Sequence, residues 1–457
     1  MQVSVETLNA LERRVTVRVP AEKVATEMQG RLQTLSRKVK IDGFRPGKVP
    51  LKVVRQLYGQ QARFETASEL MEQSLTEALT QENLNPLSQP HIEPQRLEEG
   101  QDFEYSATFE VMPDIEPTGF ETIRVDRPVA EVTEQDIDNM VQTLRWQHVV
   151  WNPAERPVRQ DDQVCIDFTG QIEGQDFPGN KGENAKFVLN GKSLLRDFEE
   201  RLIGLSSGAE TEFDCVFPED YHQHLAGKTA HFQIKLHAVE EATLPEVDDA
   251  FAEKLDIQGG VANLRESLRG TLQRGLRENA RAFIKRQVMR GLLMANQIPL
   301  PRALIANEIE NLASQMQFPK DLADEQAWQL KLSMFGPHAY QRVALGLLMA
   351  ELVKRESIQI DAQRVRSVLE SLTAEYQDPG EVIASYEQNP QMMEQVQALA
   401  LEEQVVDWLL ERAQVTEKPM TFDEVMHPKP PANPEELPGE PSVPDAAAQA
   451  ALESPHE

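Results

Sequence analysis

The period of the hydrophobic pattern changes along this chain, and the changes divide it. Apolar residues alternate with polar ones from Arg13 to Val19 (Val15, Val17, Val19) and again at Phe103, Tyr105, Ala107, Phe109 and Val111, the signature of half-buried strands. Between them, Ala21 to Val39 and Leu51 to Leu84 keep a helical period, with Phe64, Ala67, Leu70, Leu75 and Leu79 at helical spacings. Residues 1-112 are therefore expected to form an α+β domain. Residues 113-149 open with Pro113, Pro117 and Pro128, which predicts an extended linker, and Thr133-Glu134-Gln135-Asp136 then starts a helix through Val141, Leu144 and His148.

Over residues 150-245 the period returns to two. Val164 to Gly170 reads as a strand running into a turn, Gly174 to Gly179 as a loop, and Phe187-Val188-Leu189 as a strand. A short helix within Leu194 to Leu205 comes next, then strands over Thr211 to Phe217 and Thr229 to Val239. The expectation is a small antiparallel sheet wrapped on one helix, with an apolar hollow between them.

Residues 246-427 are helical by pattern almost throughout. Leu264, Leu268, Leu272, Leu276, Ala280, Ile284, Val288 and Leu292 recur every fourth residue. Four residues advance a helix by ~400°, so the stripe drifts ~40° per step and must meet different partners along its length. Shorter amphipathic helices are read at Ile305, Ile309, Leu312, Met316; Leu345, Leu348, Leu352; Val365, Val368, Leu369, Leu372, Tyr376; and Val396, Leu399, Val406, Leu409, punctuated by Gly380 and Asn389-Pro390. Residues 428-457 hold eight prolines, six acids and one cation, Lys429, with no aromatic, and are expected to be disordered because they cannot bury a core.

Composition narrows the function. At 457 residues the chain exceeds what one core supports. A formal charge of −29 argues against general nucleic-acid binding. One local exception stands out. Residues 31-60 carry eight cations (Arg31, Arg37, Lys38, Lys40, Arg45, Lys48, Lys52, Arg55) against Asp42, so 8 − 1 = +7 lies within that acidic chain. At its centre, Gly43-Phe44-Arg45-Pro46-Gly47-Lys48-Val49-Pro50 breaks helix and strand alike and sets an aromatic on a projecting loop. On charge alone the loop reads first as an ordinary solvated turn between two helices, a reading that Phe44 at its tip weakens.

The amino end shows no signal peptide, and the most apolar run, Val343 to Val353, is too short for a bilayer and contains Glu351, so a soluble cytoplasmic protein is expected. Cys165 and Cys215 lie in strand contexts and are expected to be buried structural thiols without a disulfide. His222, His224, His231 and His237 lack zinc-site spacing, so solvated histidines and no metal are expected. No cofactor is implied, and no glycine-rich phosphate loop with its lysine is present. Nine of the fourteen methionines (Met289, Met294, Met316, Met334, Met349, Met392, Met393, Met420, Met426) fall in the helical region, where they are either core filler or an adaptable apolar surface.

The loop pattern at Gly43, Phe44, Arg45, Gly47 and Pro50 resembles the ribosome-docking signature of trigger factor, the bacterial chaperone family at the nascent-chain exit. Ala400-Leu401-Glu402-Glu403-Gln404 and Val415-Thr416-Glu417-Lys418 resemble its carboxyl domain. Residues 150-245 resemble an FKBP-type prolyl isomerase domain through the Asp167-Phe168-Thr169-Gly170 turn, Phe177, the Leu195 to Phe198 helix entry, Phe217-Pro218-Glu219-Asp220-Tyr221 and Phe232. The fold this implies is α+β multidomain: an α+β ribosome-docking domain, a small antiparallel FKBP-like sheet with one helix, and an all-helical arm-bearing C-terminal domain.

The resemblance also implies roles. Gly43, Phe44, Arg45, Gly47 and Lys48 would dock on the large ribosomal subunit at the exit tunnel, against protein and rRNA, and Pro46 stands where many members carry a second cation. Phe168, Phe177, Phe187, Leu194, Leu195, Phe198, Tyr221 and Phe232 would line the isomerase pocket, with Tyr221 and the Leu195 amide holding substrate; the same aromatics read equally as the core of a small barrel. Pro178 replaces the acid usual after Phe177, and Asp197 and Arg201 stand where glycines are common. Partners would be the ribosome and nascent or unfolded polypeptides, with no membrane and with a homodimer left open off the ribosome. The function expected is an ATP-independent chaperone that holds nascent chains open, assists folding and export, and catalyses prolyl isomerisation as an accessory activity. The alternative is a free cytoplasmic folding isomerase whose flanking domains only recruit substrate.

Overall fold

Two compact units, Met1–Pro128 with Ala280–Lys418 and Val129–Asn279 with Pro419–Pro428, make up the computed structural model. It describes residues 1–39, 44, 49–96, 101–177, 179–191, 194–218, 225–316, 318, 324–374, 376 and 378–428. The tail 429–457 and all of the basic loop except Phe44, Val49 and Pro50 lie outside the described residues.

The first unit begins with β1 (Gln2–Thr7), β2 (Glu12–Val19), α1 (Ala21–Lys38), α2 (Leu51–Gln81), β3 (His91–Arg96) and β4 (Phe103–Glu110). The strands form an antiparallel sheet in the order β1-β2-β4-β3. The alternation predicted for β2 and β4 puts Val15 opposite Ala107, Val17 opposite Tyr105 and Val19 opposite Phe103, and all six are buried against Ala67, Leu75 and Ala78 of α2. The buried Tyr105 hydroxyl is satisfied by Ser74 Oγ at 2.8 Å and the Met71 carbonyl at 3.1 Å. The pattern does not show β1 and β3. They are edge strands with mostly exposed side chains, and Pro94 in β3 is tolerated because an edge needs fewer donors. The α1–α2 hairpin has its own small core of Leu32, Val49, Val54 and Ala62, and Arg31 bridges the helices by pairing with Glu65 and Glu69.

After β5 (Arg124–Val129) the second unit holds α3 (Glu134–Gln147), β6 (Val150–Pro153), β7 (Gln163–Gln171), β8 (Lys181–Val188), α4 (Arg196–Leu202), β9 (Glu210–Val216), β10 (Thr229–Thr243), α5 (Asp249–Lys254) and the start of α6 (Gly260–Ala295). The helix start read at Thr133 is a reciprocal capping box with Asp136. The fifteen-residue β10 organises the sheet, pairing antiparallel with β9 over Thr229–Lys235, with β7 over His231–Glu240 and with β6 over Glu240–Thr243. Gly170 lies inside β7 rather than in the expected turn. The reversal comes at Glu173 and Gly174, both at positive φ (51° and 78°), between the bridged Ile172 and Gln175.

The remaining elements are α7 (Arg302–Gln315), α8 (Asp324–Arg355), α9 (Ala362–Thr373), α10 (Pro379–Gln388), α11 (Pro390–Leu410), β11 (Gln414–Pro419) and α12 (Phe422–Met426). Gly380 does not break this run but lies in the first turn of α10, which Asp378 caps. Val415 to Lys418 form a strand rather than helix, and β11 pairs with β5 of the proline-rich linker. Partners almost three hundred residues apart leave no local signal of their pairing. The drifting stripe of α6 does meet two partners: Leu264, Leu268 and Leu272 join Ile137, Val141 and Phe251, whereas Val288 and Leu292 join Ile123, Leu348, Val405 and Leu409.

Among the described residues no helix is long and apolar enough to cross a membrane. Cys165 and Cys215 are both free. They face Ala238 and Ala230 of β10, eight residues apart on one strand, so roughly 26 Å separates them and no disulfide can span it.

Candidate functional site

The β7–β8–β10 register dictates the aromatic cluster of the second unit. Phe168 on β7 lies opposite Gly182 on β8, and Phe232 on β10 lies opposite Gly170 on β7 and Phe213 on β9. The glycines leave room for both rings against the sheet backbone: a Cβ at Gly182 would come within 2.6 Å of the Phe168 ring, and one at Gly170 would overlap the Phe232 ring. The first turn of α4, with Leu195 at its N-cap, supplies Phe198.

Phe232 is the hub of this cluster. Its ring centroid lies 5.2 Å from Phe198, 6.3 Å from Phe177, 6.4 Å from Phe213 and 6.5 Å from Phe168. The pairs with Phe198 and Phe177 are edge-to-face, worth about 0.5–1.5 kcal/mol each beyond area burial. Phe198 and Phe232 are buried, whereas Phe168, Phe177, Phe187, Leu194 and Leu195 pack over them half-exposed. Seven of the eight expected site residues thus meet in one apolar patch with a buried floor. Tyr221 lies outside the described residues, as does Pro178. Asp197 and Arg201 are exposed on α4.

Residues the sequence reading passed over complete the arrangement. Phe213 packs on Phe198 at 5.3 Å, and its inward position follows from the alternation Phe213, Cys215, Phe217. The carboxylate of the buried Glu199 accepts the Gly191 N–H through both oxygens at 3.0 and 2.9 Å, tying the segment after β8 to α4. Asn180 donates through Nδ2 to the Gly170 carbonyl at 2.8 Å and so fixes the strand beneath Phe232. Among the described residues the Leu195 N–H has no acceptor.

The outer face of the sheet corrects one expectation. His231 and His237 are not simply solvated: His231 Nδ1 lies 2.8 Å from Asp214 and His237 Nε2 lies 2.7 Å from Asp167. Asp167 stands where β7 shifts register on β8, and it accepts the Asn184 N–H at 2.7 Å. That backbone hydrogen bond first, and His237 second, hold its carboxyl below the usual value. His222 and His224 lie outside the described residues. Of the expected docking residues only Phe44 is described, and it is 40% exposed; Gly43, Arg45, Gly47 and Lys48 are not described.

Trigger factor of Halorhodospira halophila is 45% identical to this chain over 430 residues, 93% of this chain and 98% of that protein. The chain belongs to the trigger factor family. Trigger factor of Thioalkalivibrio sulfidiphilus is 44% identical over 438 residues, covering 94% and 99% of the two chains. The models of the family, "Bacterial trigger factor protein (TF)" and its C-terminus, match residues 1–144 and 260–411, and "FKBP-type peptidyl-prolyl cis-trans isomerase" matches residues 154–237. A solved trigger factor chaperone structure matches at a TM-score of 0.47 and 18% identity, over 90% of this chain and 99% of that one. This member of the trigger factor family is a chaperone carrying an FKBP-type prolyl isomerase domain, and the aromatic cluster lies within that domain.

Proposed function

We propose that this chain docks through the loop between α1 and α2 at the exit of the large ribosomal subunit and holds emerging polypeptides there without ATP. In this reading residues 1-112 dock, 113-149 link, 150-245 isomerise and 246-427 hold the client in the cytoplasm. One observation carries the docking role: Phe44 is exposed at a helix–helix junction where burial would be the favoured state of an aromatic, within a stretch of charge +7. The ring would bury in an apolar recess while Arg45 and Lys48 pair with phosphate or carboxylate groups. Holding draws support from Met294, Met316 and Met334, which are 71%, 68% and 50% exposed, whereas Met289 and Met349 fill core.

Isomerisation in the cluster needs no acid, base, nucleophile or metal. The prolyl bond is held planar by resonance, with a barrier of ~18–20 kcal/mol, and the planar amide is more dipolar than the twisted transition state. An apolar site that strips water from the imide therefore favours the twisted form. Phe198 and Phe232 would floor that site, the half-exposed Phe168, Phe177, Phe187, Leu194 and Leu195 would wall it, and the Leu195 N–H, which has no acceptor among the described residues, would take the substrate carbonyl.

Ribosome co-sedimentation at physiological salt tests the docking role, with the intact protein beside a Phe44→Ala, Arg45→Ala, Lys48→Ala variant that keeps its circular dichroism. Loss of pelleting in the variant is expected. Equal pelleting of both would leave a free folding isomerase as the better account.

A further inference from the structure

The described residues bury two acids, and the two are held in opposite ways. Asp162 is neutralised by Arg156, whose guanidinium donates to its two oxygens at 2.7 and 2.9 Å. Glu199 meets no cation among the described residues, and its carboxylate takes only the Gly191 N–H. Burying an acid without a counter-ion lowers stability, so a carboxylate kept in that state serves some other end. The main chain shows which. The Glu199 N–H donates to the Leu195 carbonyl at 3.0 Å while its side chain accepts the Gly191 N–H, so one residue holds both Gly191 and Leu195, four positions apart. Leu195 is the N-cap of α4, and a leucine there offers no side-chain bond to the helix start. Leu194 and Leu195 pack half-exposed on the aromatic cluster, and Phe198, the neighbour of Glu199 in sequence, is buried beneath.

We propose that Glu199 is a positioning residue of the prolyl isomerase, its carboxylate setting where Leu194, Leu195 and the Leu195 N–H stand over the floor of Phe198 and Phe232. This rests on the cluster being the isomerase site. Glu199 touches no substrate and transfers no proton; it acts through Gly191 and Leu195. An apolar side chain at 199 leaves the Gly191 N–H without its acceptor and frees Gly191 from α4, and the wall loses its fixed place. Wall and amide hold the prolyl segment in its planar and twisted forms alike, so their misplacement weakens substrate binding and raises KM while kcat stays nearly constant. A displacement of about 1 Å in such a contact is enough for an effect of about 10²-fold.

The test measures kcat and KM on a short prolyl peptide for the full chain and its Glu199→Leu and Glu199→Gln variants. Leucine keeps the bulk and removes the acceptor, whereas glutamine keeps one acceptor oxygen for Gly191. In Glu199→Leu, KM should rise about tenfold or more at nearly constant kcat, and hydrogen exchange at the Gly191 amide should quicken. Glu199→Gln should stay within about twofold of the parent in KM. Glu199→Asp, one methylene shorter, should raise KM as well, and it reads the reach of the carboxylate even where leucine unfolds the domain. A purely structural role gives the opposite split: unfolding removes active molecules, so kcat per total protein falls at unchanged KM. That result overturns the proposal, as does the parent's KM in both Glu199→Leu and Glu199→Asp. A Phe198→Ala variant as active as the parent would show instead that the cluster is not the isomerase site, and the positioning role falls with it.

Discussion

Gly170 and Phe232 face each other across β7 and β10, and the ring lies so close to the glycine that a Cβ there would overlap Cε1 and sit 2.8 Å from Cδ1. Gly170→Ala must therefore displace the hub of the aromatic cluster or bend β7. Overpacking of this kind costs about 1–3 kcal/mol. Urea unfolding should show that loss together with a fall in kcat/KM for prolyl isomerisation. Adding Phe232→Leu should restore part of the stability and none of the activity; if the double variant is no more stable than Gly170→Ala alone, the close approach is not the cause.

Phe198→Ala should separate the two activities. The residue is 4% exposed and touches Phe168, Phe213 and Phe232, so removing its ring costs about 3–5 kcal/mol within the isomerase domain. Proline-limited refolding of a test protein is expected to lose its acceleration while suppression of aggregation survives. Loss of both activities in a variant whose helical content is unchanged would make the isomerase more than an accessory.

Asn296 acts as a peptide mimic. Its side chain accepts the Thr118 N–H at 2.8 Å and donates to the Thr118 carbonyl at 3.0 Å, as a neighbouring strand would. Gln287 does the same for Asp126 at 2.9 Å for both bonds. Asn296→Ala leaves two backbone groups without partners and should cost about 1–3 kcal/mol. Hydrogen exchange at the Thr118 amide should quicken, and unchanged protection there would rule out the clamp.

Asp167 sets a pH dependence with a definite sign. Its folded-state pKa is held below the ordinary 3.8 by the Asn184 N–H and then His237. The stabilisation is therefore present above pH 3.8 and lost as pH falls through the lower, folded value. Asp167→Asn should lower the melting temperature near neutrality and flatten its fall below about pH 4. A melting profile parallel to that of the parent through this range would show that the carboxyl contributes nothing.

Cys215 is fully buried, and burial first, with the charge of Asp197 second, pushes its thiol above the usual range. Thiolate is the reactive form, so a disulfide-exchange reagent should modify Cys165 first and Cys215 only on unfolding. Equal rates in the native protein would contradict the burial.

The hydrophobic period by itself determined much of this protein: the inward faces of β2 and β4, the drifting stripe of α6, and the alternation that buries Phe213, Cys215 and Phe217. These features arise from local geometry, because a strand repeats every two residues and a helix every 3.6. The candidate site residues were legible through short motifs, and register then decided how they meet. Only tertiary structure could place Phe232 on Gly170, draw Asp167 to His237 on an outer face, or turn Val415 to Lys418 into a strand on β5. Those outcomes depend on backbone partners far away in sequence. The hydrogen bonds of a strand lie outside the strand, so its own residues do not reveal which partner it has.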